Sequence, residues 1–123
     1  MHLGAFDSWL SRLNAAYENR DSHEAANLFS EDATYQQSPF EQPLVGHSDI
    51  LKFWSEVPIT QEKVQFEYEI LAVTEQSGIA HWWVSFISIP EKKHIKRDGV
   101  LMISLDFDGR CKHFREWWHE QTA

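Results

Sequence analysis

The chain has 123 residues and a hydrophobic content of 42%, which is enough for one domain with a buried core and too apolar for a disordered segment. Eleven basic residues against nineteen acidic ones give a formal charge of −8, which argues against a nucleic-acid partner. The single cysteine, Cys111, cannot form an internal disulfide and fits a reducing cytoplasm, and no apolar run approaches the roughly 18 residues of a membrane span.

The N-terminal part of the chain predicts helices. From Phe6 to Tyr17, apolar residues recur at i, i+3, i+4 and i+7, which indicates one face of a helix over roughly residues 6–19. Asp21 or Ser22 can cap a short second helix that follows at once. These helices are expected to bury their apolar faces against a sheet.

A short strand and a third helix are predicted next. The strand covers residues 33–37, and the loop 38–45 contains two prolines. Ser48 is expected to cap the third helix, and Pro58 is expected to end it, because the residue before a proline avoids the helical conformation.

Four strands are predicted after the third helix, over residues 64–74, 79–89, 99–107 and 110–119. In the first of them apolar and polar residues alternate, which is typical of a strand with one buried face. The second strand has apolar or aromatic residues at both its odd and its even positions, as expected of a strand that is covered on both faces. Residues 90–98, with four basic side chains, are predicted to form a polar loop, and Asp108-Gly109 predicts a tight hairpin.

With this order of helices and strands, the chain resembles the nuclear transport factor 2-like superfamily, in its SnoaL-like and ketosteroid isomerase branch. The resemblance is carried by residues 29–34, 46–50, 83–86 and 108–110 and covers nearly the whole chain, as a single domain over 1–123. It implies an α+β fold in which three N-terminal helices pack in the concave face of a strongly curved, mostly antiparallel sheet. Such a cone-shaped α+β barrel commonly encloses a pocket.

The catalytic residues of ketosteroid isomerases are missing from the matching positions. The base position on the first strand holds Gln37 or Ser38, the first-helix tyrosine is replaced by Leu13, and the aspartic acid of the penultimate strand by Leu101. We therefore reject steroid isomerase activity by that mechanism. The fold leaves open a cofactor-free isomerase, cyclase or dehydratase or, alternatively, a ligand-binding or dimerisation module without chemistry.

Two polar residues are the candidate catalytic groups. Glu116 shares the apolar parity of the last strand with Phe114 and Trp118, and poor solvation would raise its pKa toward neutrality, as suits a general acid or base. The alternatives are an ion pair with a nearby arginine or simple exposure. Gln37 would orient a ligand carbonyl or a water molecule, or would instead satisfy loop backbone.

The strand parity that the resemblance implies predicts an aromatic pocket with few polar groups, which is the usual composition of a small-molecule site. The predicted ligand-binding residues are Tyr35, Trp54, Trp82, Phe86, Leu101, Ile103, Phe114 and Trp118. Tyr35 and Trp54 could instead be core residues. The expected partner is a small apolar or aromatic molecule, and no cofactor is expected, since a Gly-rich phosphate loop is absent from the sequence.

The opposite parity of the same strands predicts a subunit interface. His81, Trp83, Arg115 and Trp117 would give the outer sheet face the tryptophan and arginine content of an interface, and we expect a homodimer. The seven histidines suggest a metal site, but no His-x-x-x-His or Cys-x-x-Cys spacing is present, so no metal is predicted.

Overall fold

The structure is a computed structural model that describes residues 1–122. Its helices are α1 (Leu3–Glu18), α2 (Ser22–Ala26), α3 (His47–Trp54) and α4 (Val57–Thr60). The buried residues of α1 are Phe6, Trp9, Leu10, Leu13, Ala16 and Tyr17, which is the face that the sequence predicts. The first helix is therefore confirmed, although it begins a turn earlier than expected.

The helix ends follow local capping chemistry, with two corrections. The carboxylate of Asp21 accepts a hydrogen bond of 3.1 Å from the Glu24 backbone N–H, so Asp21 is the cap of α2. The prediction that Ser48 caps α3 is wrong, because α3 begins at His47 after Gly46, whose φ is 91°. Pro58 does not end this region either. It lies in the first turn of α4, where its missing N–H has no intrahelical partner to lose.

Six strands form one sheet in the order β2-β1-β6-β5-β4-β3. They are β1 (Phe29–Gln36), β2 (Leu44–Val45), β3 (Gln61–Val73), β4 (Gly78–Ser88), β5 (Lys93–Leu105) and β6 (Cys111–Thr122). β1 runs parallel to β6, and the other neighbouring pairs are antiparallel. The α+β fold with N-terminal helices and a curved, mostly antiparallel sheet is confirmed.

The predicted loop at residues 90–98 is wrong. Only a turn separates β4 from β5, with the Lys92 N–H donating to the Ser88 carbonyl at 2.7 Å and Lys92 at a φ of 56°. β5 pairs with β4 from Lys93 onward. Because the segment is rich in basic side chains, its alternation of buried and exposed positions is not evident in the sequence. In the structure Ile95 is buried and Arg97 is half-buried. Arg97 therefore lies in the sheet instead of in a solvated loop.

The sheet separates an inner face from an outer face. Along β4, Ala80, Trp82, Val84 and Phe86 are buried inside, whereas the residues between them are half-buried outside. The pairing of β3 with β4 shifts register near Lys63, which has a φ of 53°. Such irregularities bend a strand, and here they help to curve the sheet around the helices.

Helix α1 packs tightly against the sheet at the start of β4. A Cβ atom added to Gly78 would lie 2.6 Å from the ring of Phe6, so only glycine allows α1 to pack so tightly here. Further along α1, the indole N–H of Trp9 donates to the Leu28 carbonyl at 2.9 Å. The helix is thus fixed over the inner face of the sheet, where it forms one wall of a cavity.

Candidate functional site

A cavity of about 70 Å³ lies between the helices and the inner face of the sheet. It is lined by Leu13, Tyr17, Tyr35, Gln37, Phe53, Trp54, Val57, Gln61, Phe66, Trp82, Arg97, Leu101, Phe114, Glu116 and Trp118. Gln37, Phe53, Arg97, Glu116 and Trp118 are only half-buried and form what we call the mouth, while the others form the buried floor. The cavity is smaller than the roughly 150 Å³ that encloses benzene, so a ring-sized ligand needs side chains of the mouth to move.

Glu116 lies on β6, in register with Leu101 of β5. Burial among the cavity walls raises the pKa of its carboxyl from 4.5 to about 8, and the charge of Arg97 opposes this rise. Within residues 1–122 no ion pair involves Glu116. At neutral pH the group is therefore mostly protonated and can both donate and accept a proton.

Arg97 is the cationic residue of the cavity lining, and it was not among the residues predicted for the site. Its Nε donates to Oε1 of Glu120 at 2.8 Å, across the β5–β6 pair. Its guanidinium carbon lies 5.0 Å from the ring centroid of Phe86 and 4.7 Å from that of Trp118. The two rings and the ion pair hold the cation at the mouth.

Gly99 allows Trp118 to stand beside Arg97. A Cβ atom at Gly99 would lie 2.6 Å from the Trp118 Cβ and 2.3 Å from the Trp117 carbonyl oxygen. Residue 99 faces Trp118 in the β5–β6 register. Any side chain here would push the β6 backbone and the indole away from the mouth.

Tyr17 and Gln61 form a polar pair on the cavity floor that sequence reasoning missed. The Tyr17 hydroxyl donates to Oε1 of Gln61 at 2.7 Å, and burial raises the pKa of Tyr17 above its ordinary value of 10.0. The Tyr17 ring also meets Trp54 edge-on, with centroids 5.2 Å apart. Tyr17 lies one helical turn after Leu13 on the same face of α1, which is the only signal that could have indicated it.

Tyr35 and Gln37 both line the cavity. Tyr35 stacks on Phe114 with centroids 4.2 Å apart and planes 11° apart, and burial raises the pKa of its hydroxyl. The loop-backbone bond considered for Gln37 is made by its neighbour, since Nε2 of Gln36 donates to the Glu41 carbonyl at 3.4 Å. The side chain of Gln37 makes no hydrogen bond within residues 1–122 and lines the cavity.

Most of the other predicted ligand-binding residues line the cavity as well: Trp54, Trp82, Leu101, Phe114 and Trp118. Phe86 does not, because it lies beneath the Arg97 guanidinium. Ile103 does not either, since it lies further along β5, buried opposite Phe114. The indole N–H groups of Trp54 and Trp82 are buried and have no hydrogen-bond partner in the part of the chain that the structure describes. Buried donors of this kind are rare and call for an explanation.

The four residues predicted for the interface lie on the outer face. His81 bridges Glu69 at 3.0 Å and Asp98 at 2.9 Å, and the bond to Glu69 makes the largest contribution to raising its pKa above 6.5, against the effect of burial. The Trp83 indole donates to Glu67 at 2.8 Å. Arg115 lies over the ring of Trp117 at 5.4 Å, and Trp117 is 43% exposed.

Within 1–122, no group of three or more His, Cys, Asp or Glu side chains is arranged to hold a metal ion. No helix in this range is both long and apolar enough to cross a membrane. The buried thiol of Cys111, whose pKa burial raises, lies at the start of β6 and donates to the His113 carbonyl.

Several solved structures share the fold. One is SalBIII, an epoxide hydrolase/cyclase-like enzyme with a role in pyran ring formation in the polyether salinomycin. It superposes with a TM-score of 0.83 at 14% identity, over 95% of both chains. Protein RV0760c from Mycobacterium tuberculosis gives 0.84 at 9% identity, over 100% of this chain and 99% of that one. The type 2 hexachlorocyclohexane dehydrochlorinase LinA gives 0.79 at 12% identity, over 98% and 87%.

Sequence comparison gives the family. No curated protein is significantly similar to the chain. The SnoaL-like domain family matches residues 10–114, which include the C-terminal part of α1 and most of the cavity lining, whereas Glu116 and Trp118 lie just beyond the matched range. The chain therefore belongs to the SnoaL-like domain family of the nuclear transport factor 2-like superfamily.

Proposed function

We propose that the protein binds a small apolar or aromatic metabolite in its cavity and catalyses a cofactor-free proton transfer, of the isomerase, cyclase or dehydratase type, with Glu116 as the acid–base group. The observation that carries this proposal is a carboxyl with a pKa of about 8 among aromatic walls. An acid–base group works best when its pKa lies near the operating pH. The enzyme names of two similar structures, a cyclase-like enzyme and a dehydrochlorinase, support a catalytic use of the fold.

The roles of the other residues follow from their positions around Glu116. Gln37 at the mouth would orient a ligand oxygen or a water molecule, and Tyr35 would position the ligand from the floor. Trp54, Trp82 and Trp118 would be the apolar walls. The hydroxyl of Tyr17 remains protonated at neutral pH, because its pKa is raised, so it acts as a hydrogen-bond donor.

Ligand entry requires the mouth to open. Phe53 and Trp118 are the half-buried aromatic residues there, whereas the aromatic floor is closely packed. Turning the Phe53 ring outward enlarges the cavity and leaves Trp118 against the Arg97 guanidinium. A thermal-shift screen of apolar and aromatic compounds tests binding directly, since a ligand at 100 times its Kd adds about 2.7 kcal/mol of stability.

Proton transfer can be tested before the substrate is known. The protein is incubated in D₂O with a panel of small cyclic and aromatic ketones, and deuterium incorporation at carbon is followed by mass spectrometry. Glu116→Gln should lower exchange by about 10²- to 10⁴-fold and leave thermal-shift binding intact, because the amide cannot transfer the proton. The control Glu62→Gln, at an exposed position of β3 outside the cavity lining, should retain exchange. Equal exchange by wild type and Glu116→Gln would remove Glu116 from the mechanism.

The second candidate function is a ligand carrier or association module without chemistry. The small volume of the cavity and the absence of the ketosteroid isomerase residues favour it. Ligand binding without deuterium exchange on any compound would support a carrier. A panel without a single binder would leave the outer sheet face as the functional surface.

We also propose that this outer face, around His81, Trp83, Arg115 and Trp117, pairs two copies of the chain. Its exposed indole and stacked arginine have the composition of an interface core. Trp117→Asp should convert a dimer to a monomer in sedimentation experiments. An unchanged mass would place any interface elsewhere.

The single buried thiol, Cys111, is consistent with a cytoplasmic setting.

A further inference from the structure

We infer that the metabolite carries a carboxylate, and that the guanidinium of Arg97 receives this carboxylate at the mouth of the cavity. The inference rests on the proposed binding of a small molecule there, and it adds the chemical class of that molecule. An apolar cavity alone would accept a neutral ring equally well. The polar groups around it favour an anion.

The first argument is the geometry of Arg97. Its Nε is occupied by Glu120, and this bond together with the rings of Phe86 and Trp118 fixes the plane of the guanidinium. The described residues give no hydrogen-bond partner to its two terminal nitrogens. A guanidinium held in this way is preorganised for a bidentate contact with a carboxylate.

The second argument is a surplus of hydrogen-bond donors in the lining. The indole N–H groups of Trp54 and Trp82 belong to cavity-lining residues and have no partner within 1–122. Oε1 of Gln61 already accepts from Tyr17. An occupant rich in acceptor oxygens would satisfy such a site, whereas a hydrocarbon would not.

The third argument is charge. The whole chain carries −8, yet the charged groups at the mouth are Arg97 and its exposed partner Glu120, together with Glu116. Because the Glu116 carboxyl is mostly protonated at neutral pH, it does not cancel the cation. Glu120 offsets the charge of Arg97, so the mouth is close to neutral, and it offers the two terminal nitrogens of Arg97 and the acid proton of Glu116 as donors to an approaching anion.

Isosteric pairs of probes test the inference. Isothermal titration at pH 7 compares benzoate with benzamide, and isobutyrate with isobutyramide, on wild type, Arg97→Gln and Arg97→Lys. On wild type each carboxylate should bind at least about tenfold more tightly than its amide, as expected for a charge-assisted bidentate contact. Arg97→Gln should remove this preference while its amide affinity stays within about threefold. Arg97→Lys should keep part of the preference.

The matched control is Lys96→Gln, which removes the same charge from the exposed neighbour of Arg97 on β5. It should keep the full preference for carboxylates. Equal affinity of wild type for acids and amides, or a preference that survives Arg97→Gln, would overturn the role of Arg97 and leave the proposed binding function standing. Binding of neither probe of a pair to wild type would overturn both.

Discussion

The inner and outer faces of the sheet formed by β3, β4, β5 and β6 carry the same kinds of side chain in very different surroundings. Inside, a carboxyl, an arginine and tryptophans line a cavity, and burial raises the pKa of Glu116 to about 8. Outside, the carboxylates of Glu69 and Asp98 are exposed and both contact His81. Strand alternation assigns each residue to one face, and the face then determines its chemistry.

This difference explains why an outer carboxylate is a poor candidate for catalysis. Solvent screens an exposed carboxylate, so it pairs only weakly with a neighbour. The same carboxyl among aromatic rings has its charged form destabilised, so its proton becomes useful near neutral pH. Matched substitutions on the two faces can break or sharpen this contrast.

The largest contrast is expected between two adjacent tryptophans of β4. Trp82 is 5% exposed, and Trp82→Ala should cost about 3–5 kcal/mol because it leaves a large hole in the core. Trp83 is half-buried on the outer face, and Trp83→Ala should cost about 1 kcal/mol. Urea unfolding of dilute, monomeric protein measures both. Equal losses would mean that the two faces are equally packed.

The second contrast concerns the pH dependence of stability. The folded pKa of Glu116 is raised from 4.5 to about 8, so the folded state binds more protons between these values. The contribution of Glu116 is thus fully present below pH 4.5 and is lost as the pH rises through 8. The free energy of unfolding of wild type, relative to Glu116→Gln, should fall by up to about 1.4 kcal/mol per pH unit in this window.

Urea unfolding at several pH values between 5 and 9 measures this slope. The control Glu62→Gln, at an exposed position of β3 outside the cavity lining, should keep the wild-type slope. Parallel curves for wild type and Glu116→Gln would show that the carboxyl is solvated.

A third comparison uses two tyrosine hydroxyls. Tyr17→Phe leaves the buried Gln61 without its donor and should cost about 1–3 kcal/mol. Tyr68 also donates to a side chain, Oδ1 of Asp7 at 2.9 Å, but at a half-exposed position. Tyr68→Phe should therefore cost less than about 1 kcal/mol. Thermal unfolding of both variants gives the difference, and a reversed order would contradict the assigned burial.

The smallest effect is expected at His81. Its two carboxylate partners raise its pKa above 6.5, so its stabilisation is fully present below pH 6.5 and is lost as the pH rises through the folded value. Because the pairs are exposed, His81→Asn should cost less than about 1 kcal/mol at pH 6 and almost nothing at pH 9. A cost that is independent of pH would show that the histidine acts only by packing.

The sequence predicted the fold better than its details, for physical reasons. Periodicity identified α1 and the long strands, since both depend on which side chains are buried. It failed at residues 90–98, where the density of lysine and arginine concealed an alternating strand. The predicted start of the third helix was also wrong, because a helix can begin without a side-chain cap. The predicted role of Pro58 was wrong as well, because a proline can open a helix as well as end one.

Cavity-lining residues were predicted where the side-chain pattern of a single strand indicated them. They were missed where the site depends on a contact between two elements. Glu116, Trp82 and Trp118 follow from parity along single strands, and all three line the cavity. Arg97 was missed because residues 90–98 were predicted to form a loop. The Tyr17–Gln61 contact joins residues that lie 44 positions apart in the sequence, so no local pattern could indicate this contact. The pKa of Glu116 depends on this whole enclosure.

The central claim is that Glu116 is a mostly protonated carboxyl at neutral pH. Carbon-13 NMR of protein labelled at glutamate side-chain carboxyls follows each titration directly, and the Glu116 signal is identified by its loss in Glu116→Gln. The account predicts one glutamate with a midpoint near pH 8, separate from the rest. A Glu116 midpoint near 4.5 would contradict the claim and, with it, the assignment of Glu116 as the acid–base group.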